Sequence, residues 1–392
     1  MDEWVPAEAA IARLGIARAS LYAYVSRGLI RARPDPTRPN RSVYSAVDLA
    51  ALATRRPRSR LAVAAEAIDF GTPVLTSAIT AIANGQLLYR GRDAVRLAET
   101  ATLEQTAALL WSAPVWPDPP RFTPSSSTLP PLEAALTALA SAHGPAIWRR
   151  PAAALHTDGA ALLLRIAAAY AGTTRNAPLH VMLASAWGAT APAEDLIRRA
   201  LVLCADHELN ASTFAVRVVA STGAALAHCL MAGLAALAGP LHGGTTARVR
   251  AALADPALLA DPAEGLARRL DRGESLPGFG HRLYPNGDPR AASLLDALAP
   301  GRWWRELIAA TEAQTGERPN IDFALVALER ECRLPDGAAF AIFALGRTAG
   351  WIAHALEQNA EGRLIRPRAR PGRPDYPTAA RNSAQRSSSG ST

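Results

Sequence analysis

Apolar positions recur at three- and four-residue intervals through most of the chain, and the runs break at glycine, proline or clustered arginine. In residues 1–56, Ala9, Ala10, Ile11 and Leu14 share one helical face, and Gly15 ends that helix. Leu21 and Val25 carry a second helix as far as Gly28. A basic, proline-rich segment with Arg31, Arg33, Arg38 and Arg41 follows, and Val47, Leu49 and Leu52 supply a third helix that closes a small core. Residues 55–60 read as a charged linker. From Leu61 the composition shifts to a long body. Residues 85–111 predict a short extended lead-in followed by helices, and the Pro/Ser-rich stretch 117–130 predicts a loop. Residues 131–241 predict alanine-rich helices, with no strict alternation of β-branched residues. Small side chains let such helices approach closely, which suits a large all-α domain. Beyond Pro371 the chain is proline, arginine and serine, and residues 371–392 are expected to be a disordered tail.

Composition narrows this picture. A chain of 392 residues has room for two or three domains, and 49% hydrophobic residues with a mean hydropathy of +0.04 exclude a wholly disordered one. No stretch of about 18 apolar residues is free of charge, so no membrane-spanning helix is expected. The opening Met1-Asp2-Glu3-Trp4 lacks a basic segment ahead of an apolar one, so no secretory signal is expected, and the location is read as cytoplasmic. Cys204, Cys229 and Cys332 are scattered and odd in number. They form neither a disulfide framework nor a CxxC metal site, and are read as reduced thiols in helices with no metal.

The net charge of +8 is unevenly distributed. The first 60 residues hold 11 Arg against 5 acidic residues and the last 32 hold 7 against 2, while the centre is slightly acidic. There is no lysine, so every permanent side-chain cation is a guanidinium. The basic character therefore belongs to the two ends. The order helix, glycine turn, helix, basic segment suggests a helix-turn-helix with a wing. The stretch PAEAAIARLGIARASLYAYVSRGLI resembles the MerR/excisionase winged type over about the first 50 residues. That resemblance implies DNA as a partner, with Arg18, Ser20 and Tyr22 facing the groove and Arg31, Arg33 and Arg41 meeting phosphate. The competing reading is a helical module used for protein contact.

Four segments place polar residues within otherwise apolar helical sequence. In residues 203–222, Asp206, His207, Glu208 and Asn210 crowd into what reads as one helical turn, with a solvated helix cap as the plainer interpretation. In residues 237–249, His242 sits between Pro240-Leu241 and Gly243-Gly244, where missing side chains let backbone approach a ligand. In residues 277–291, His281 follows Gly278 and Gly280, and Arg290 lies nine positions further on. In residues 317–326, Asp322 stands among apolar neighbours, where a carboxylate needs a partner or a raised pKa.

In this order, ADHELNAST…VRVVAST, GPLHGG, GFGHRLY…DPRA, PNIDF, FALGRTAGWIAHALEQ and RLIRPRA resemble citrate synthase from about Gly71 to Arg368. The resemblance implies an all-α, two-domain fold behind the N-terminal winged helix-turn-helix of residues 1–56. The large domain would be 61–244 with 341–370 and the small domain 245–340, around a cleft that closes on substrate. It implies a homodimer, acetyl-CoA and oxaloacetate as substrates, and no cofactor. By the same resemblance Asp322 is the base that takes a methyl proton of acetyl-CoA, and His242 stabilises the enol. His281 polarises the ketone of oxaloacetate, and His207 also contacts oxaloacetate. Arg290, Arg347 and Arg366 bind its carboxylates, Arg366 reaching across from the partner subunit.

Two departures bear on CoA. Pro285 stands where a basic residue commonly meets a CoA phosphate, and Ala324-Leu325-Val326 replaces Tyr-Ser-Gly. Arg282 and Arg318 are the remaining candidates for the CoA phosphates. The reading is citrate synthase. Its alternatives are 2-methylcitrate synthase acting on propionyl-CoA, or a metabolite-sensing DNA-binding regulator built on the same body. A further variant keeps the enzyme and makes the N-terminal unit a dimer or filament contact.

Overall fold

The computed structural model describes residues 4–14, 18–26, 29–36, 38–49, 75–120, 129–174 and 176–367. The linker expected at 55–60, Leu52 of the expected third helix and the tail 371–392 lie outside the described residues. The chain forms two compact units, 1–76 and 77–392.

In the first unit, β1 (Trp4–Pro6), α1 (Ala7–Leu14), α2 (Arg18–Ser26), β2 (Ala32–Asp35) and β3 (Arg38–Ser45) follow in turn. The long strand β3 is central, with β1 and β2 antiparallel on its two sides. Pro6 and Pro34 sit on these outer strands, where a missing N–H is tolerated. Residues 46–49 make a helical turn. Ala10, Leu14, Leu21, Ile30, Tyr44 and Leu49 form the core, in which both helices and β3 take part.

The second unit opens on a meander of β4 (Thr80–Ala83), β5 (Gln86–Tyr89) and β6 (Arg92–Asp93). Its two-residue turns are Asn84-Gly85 and Arg90-Gly91, with φ positive at all four residues, the backbone that matches strand twist. The extended lead-in is thus a small sheet, and with the sheet of the first unit it makes the protein mostly helical rather than purely α.

Helices follow: α3 (Ala94–Thr100), α4 (Leu103–Trp111), α5 (Pro131–Ala140), α6 (Ala152–Ala171), α7 (Leu179–Ala186) and α8 (Ala191–Leu203). Next come α9 (Ala211–Ala220), α10 (Leu226–Leu237), α11 (Thr245–Ala252), α12 (Pro256–Ala260) and α13 (Pro262–Asp271). The last four are α14 (Pro289–Leu298), α15 (Arg302–Thr315), α16 (Ile321–Glu331) and α17 (Ala338–Glu361).

The 24-residue α17 is the axis of the unit, touching α4, α5, α6, α8, α9, α10, α11 and α16. A helix with neighbours on every side must be apolar all round. By length and composition alone α6 and α17 are each long and apolar enough to cross a membrane. Within the fold 89% of the apolar window of α17 is buried against protein, which marks it as a core helix. Helices α11–α16 pack largely on one another, with α16 resting on α17 and α14 meeting α8 and α3.

Candidate active site

Most of the chemically distinctive side chains sit at or beside a helix end, and Arg347 lies within α17. Residues 204–210 link α8 to α9 and are not a helical turn. Glu208 there has a φ of 51°, outside helical geometry, and its Oε1 accepts from Ile82 N at 2.8 Å. The charges are not solvated either. Asp206 is fully buried and His207 nearly so, because the link lies against α17. Asn210 caps α9, its Oδ1 accepting from Thr213 N.

His242 lies in the turn between α10 and α11, and its Nε2 is 2.8 Å from Ser212 Oγ. Ser212 Oγ in turn donates to Asn210 Oδ1 at 2.7 Å and accepts from Trp351 Nε1 at 3.3 Å. A Cβ on Gly243 would overlap the Leu237 side chain, so the turn closes only with glycine there.

His281 precedes α14, after Gly278 and Gly280 at φ 93° and 71°. Its Nδ1 accepts from Leu283 N at 3.1 Å, so in the neutral ring the hydrogen is on Nε2. Its ring stands edge-on to His207 at 5.2 Å and 4.9 Å from Tyr284, whose hydroxyl is 3.1 Å from His207 Nε2.

Asp288 caps α14, and Arg290 in the first turn of that helix grips it with Nε and Nη2 at 2.9 and 2.8 Å. Asp288 Oδ2 also accepts from Ile321 N, fastening α14 to the start of α16. Asn320 caps α16, and Asp322 lies in its first turn. Asp322 Oδ1 is buried with no hydrogen-bond partner among the described residues. Arg347, on α17, is buried, with Nε on Cys204 O at 3.2 Å and no ion pair among the described residues.

Burial is the main force on these groups, and the two arginines add to it. Burial drives His207 well below the usual imidazole range, and Arg290 and Arg347 act the same way. His242 falls to about 4 through burial and Arg347, and His281 to about 4 through burial and Arg290. All three are therefore neutral at physiological pH, each ring able to offer one N–H donor. Burial raises Asp322 to about 7, with Asp288 reinforcing the shift and Arg290 and Arg347 opposing it. A carboxyl poised near neutrality beside neutral imidazoles and two buried guanidiniums suits proton abstraction next to an anion site.

Of the other sequence candidates, Arg282 and Arg318 adjoin this cluster and the rest lie apart from it. Arg366 is exposed on the segment leaving α17, which is tied down by Gln358 Nε2 on Arg363 O and by Ile365 N on Ser221 Oγ. No described contact joins Arg366 to the histidines. Arg282 and Arg318 line a cavity of about 380 Å³ together with His281, Tyr284 and Pro285. Arg318 already holds Glu312 through Nε and Asn286 O through Nη1. In the first unit Tyr22 is exposed on α2, and Arg33 and Arg41 are exposed on the hairpin. Arg33 lies 4.3 Å over the Trp4 ring. Arg31 is clamped on Asp48 by Nε and Nη2. Arg18 and Ser20 belong to α2, and their side chains lie outside the described residues. Among the described residues no group of three or more His, Cys, Asp or Glu side chains could hold a metal.

Sequence reasoning passed over Ser212, Tyr284, Asp288 and Asn320. Asp288 and Asn320 carried a signal, each being a capping residue two positions ahead of a singled-out one. Ser212 and Tyr284 carried none, since their partners are 30 and 77 residues away.

The sequence family described as "Citrate synthase, C-terminal domain" matches residues 121–368, more than half of the chain. The chain belongs to the citrate synthase family. It is similar to "Citrate synthase" of Haloferax volcanii, 43% identical over 182 residues, 44% of this chain and 48% of that one. It is also similar to "2-methylcitrate synthase 1" of Corynebacterium glutamicum, 37% identical over 196 residues, 46% of this chain and 51% of that one. The chain spans about half the length of the curated relatives it matches. The crystal structure of citrate synthase from Thermotoga maritima superposes with a TM-score of 0.65 at 26% identity, covering 78% of this chain and 95% of that one. The citrate synthase match begins after the first unit, so it says nothing of residues 1–76.

Proposed function

We propose that the protein is a citrate synthase, joining acetyl-CoA to oxaloacetate and water to give citrate and CoA in the cytoplasm. The observation that carries this is the pairing of Asp322, raised to about 7 and with a buried Oδ1 that has no partner among the described residues, with a buried Arg347 that makes no ion pair among the described residues. The first asks for a proton to take, the second for an anion to bind. Asp322 removes a proton from the acetyl methyl group while His242, with the Ser212 hydroxyl turned to donate to its Nε2, donates its Nδ1–H to the thioester oxygen. The enol carbon attacks the ketone of oxaloacetate, whose oxygen receives the Nε2–H of His281. Arg290, Arg347 and His207 hold the dianion, and Arg366 joins them from the partner of a homodimer. Water then cleaves the citryl thioester. Both substrates bring their own reactive carbons, so no cofactor takes part. The cleft lies between a body of residues 61–244 with 341–370 and a smaller one of 245–340. Arg282 and Arg318 serve the CoA phosphates.

The test is CoA release by the full chain with oxaloacetate and either acetyl-CoA or propionyl-CoA. We expect the higher kcat/KM with acetyl-CoA. One methylene is worth only about 10–200-fold, and a preference for propionyl-CoA would make the protein a 2-methylcitrate synthase. Oxaloacetate binding without turnover would make it a sensor, which needs the arginines but not the base.

For residues 1–56 the reading is a winged helix-turn-helix that binds duplex DNA. Exposed Tyr22 on α2 beside a hairpin bearing exposed Arg33 and Arg41 supports it. Arg31 is the weakest phosphate candidate, because Asp48 already neutralises it.

A further inference from the structure

One face of α17 grips the link ahead of α9 at three successive residues. Arg347 Nε donates to Cys204 O at 3.2 Å, Gly350 N to Ala205 O at 2.9 Å, and His354 lies 3.3 Å from Asp206 Oδ2 through Nε2. Positions 347, 350 and 354 are spaced three and four apart and so lie on one helical stripe. The approach depends on Gly350, where a Cβ would overlap Asp206 Oδ1 and Ala205 O. The residue after this grip is His207. The gripping stripe itself carries Arg347.

The outermost of the three contacts is polarised from behind. Arg217, on α9 and wholly buried, lies 3.3 Å from His354 Nδ1 through Nη1. It is anchored on α17 by Gln358 through Nε, Glu357 through Nη1 and Glu361 through Nη2, at 3.0, 2.5 and 2.7 Å. A guanidinium only donates, so Nδ1 of His354 must accept, and its single hydrogen is then on Nε2, directed at the Asp206 carboxylate. A doubly protonated ring would set an N–H against Arg217. The chain Arg217–His354–Asp206 therefore has one hydrogen-bond polarity, and all three members are buried.

We propose that His354, held in the Nε2–H form by Arg217, is a positioning residue that fixes the 204–207 link on α17 and so sets how His207 and Arg347 present themselves to the dicarboxylate substrate. This rests on the reading of the site as one for oxaloacetate. His354 does not touch substrate in this scheme. Its loss should therefore fall on oxaloacetate recognition rather than uniformly on the enzyme.

The test pairs kinetics with a direct reading of the ring. A glutamine carries an acceptor and a donor on one side chain, so His354→Gln can preserve the polarity, whereas His354→Leu removes both groups. In the full chain we expect His354→Leu to raise KM for oxaloacetate about tenfold or more while KM for acetyl-CoA changes less than about threefold. His354→Gln should stay within about threefold of wild type for both substrates. The ring-nitrogen ¹⁵N shifts of wild-type His354, assigned by the resonances lost in His354→Gln, should show a neutral ring protonated on Nε2 at neutral pH. Equal rises in both KM values, a His354→Gln enzyme as impaired as His354→Leu, or a ring protonated on Nδ1 would overturn the proposal. If His354→Leu does not fold, His354→Gln and the ring shifts decide. If the wild-type chain does not make citrate, the proposed function fails, while the ring shifts still decide whether Arg217 and Asp206 orient His354.

Discussion

Asp322 carries two opposed demands. Its carboxyl is raised to about 7 chiefly by burial, so the native state favours the neutral acid. That stabilises the fold below the ordinary value of 3.8 and is lost as pH rises through about 7. The base works only when ionised, so kcat/KM should rise with pH through about 7, and a flat profile between about pH 5 and pH 9, roughly two units either side of that value, would contradict the assignment. His242 and His281, at about 4, add no break in that range. Asp322→Asn keeps the shape and cannot take a proton, so kcat should drop at least about a hundredfold. The same variant should melt higher than wild type above about pH 7, because it no longer buries a charge, and should show no such gain near pH 4. Arg290→Lys is not conservative. A point charge cannot span both Asp288 oxygens as Nε and Nη2 do, nor offer a planar fork to a carboxylate. KM for oxaloacetate should rise about tenfold or more, with a smaller effect on acetyl-CoA and a lower Tm. Equal rises for both substrates would show that Arg290 is not a carboxylate ligand.

Caps connect side chains to elements. Asn320 Oδ1 receives Asp322 N and Phe323 N to start α16, and its Nδ2 reaches back to Gly280 O on the loop that carries His281. One amide thus orients the segments bearing two of the proposed catalytic groups. Asn320→Ala should cost about 0.5–2 kcal/mol of stability, as for other lost caps, and should lower kcat beyond what that loss of folded protein explains. Chemical denaturation and turnover of the folded fraction separate the two effects. Unchanged kcat would reduce Asn320 to a cap. Asp288 plays the matching part for α14, holding Arg290 and, through Ile321 N, the start of α16.

At the scale of the whole molecule, the second unit holds the entire candidate site, and the first has its own core. A variant beginning at Leu61 should fold and dimerise, and should keep citrate-forming activity. It should lose the DNA binding proposed for the full chain. In the full chain that affinity should fall steeply with salt, with a log–log slope of about −0.9 per phosphate neutralised. Calorimetry and size-exclusion chromatography of the shortened protein, alongside salt-titrated DNA binding of the full chain, check both halves. A soluble but inactive dimer would mean that the first unit completes the enzyme.

The helices of the body were readable from local order alone, because a three-to-four spacing of apolar residues needs only near neighbours, and glycine and proline mark where each run stops. The order of the motifs likewise marked Asp322, His242, His281, Arg290 and Arg347 before any contact was known. The fates of the charges were not readable. Asp206 looked solvated, yet it is buried against His354, 148 residues away, and Arg31 looked free to meet phosphate, yet it holds Asp48. The apolar length of α17 became intelligible only from its eight helical neighbours among the described residues. Hydrophobic spacing is a property of one segment, whereas a side chain's pKa, tautomer and partner depend on what other segments bring within a few ångströms, and the folded chain alone sets those approaches.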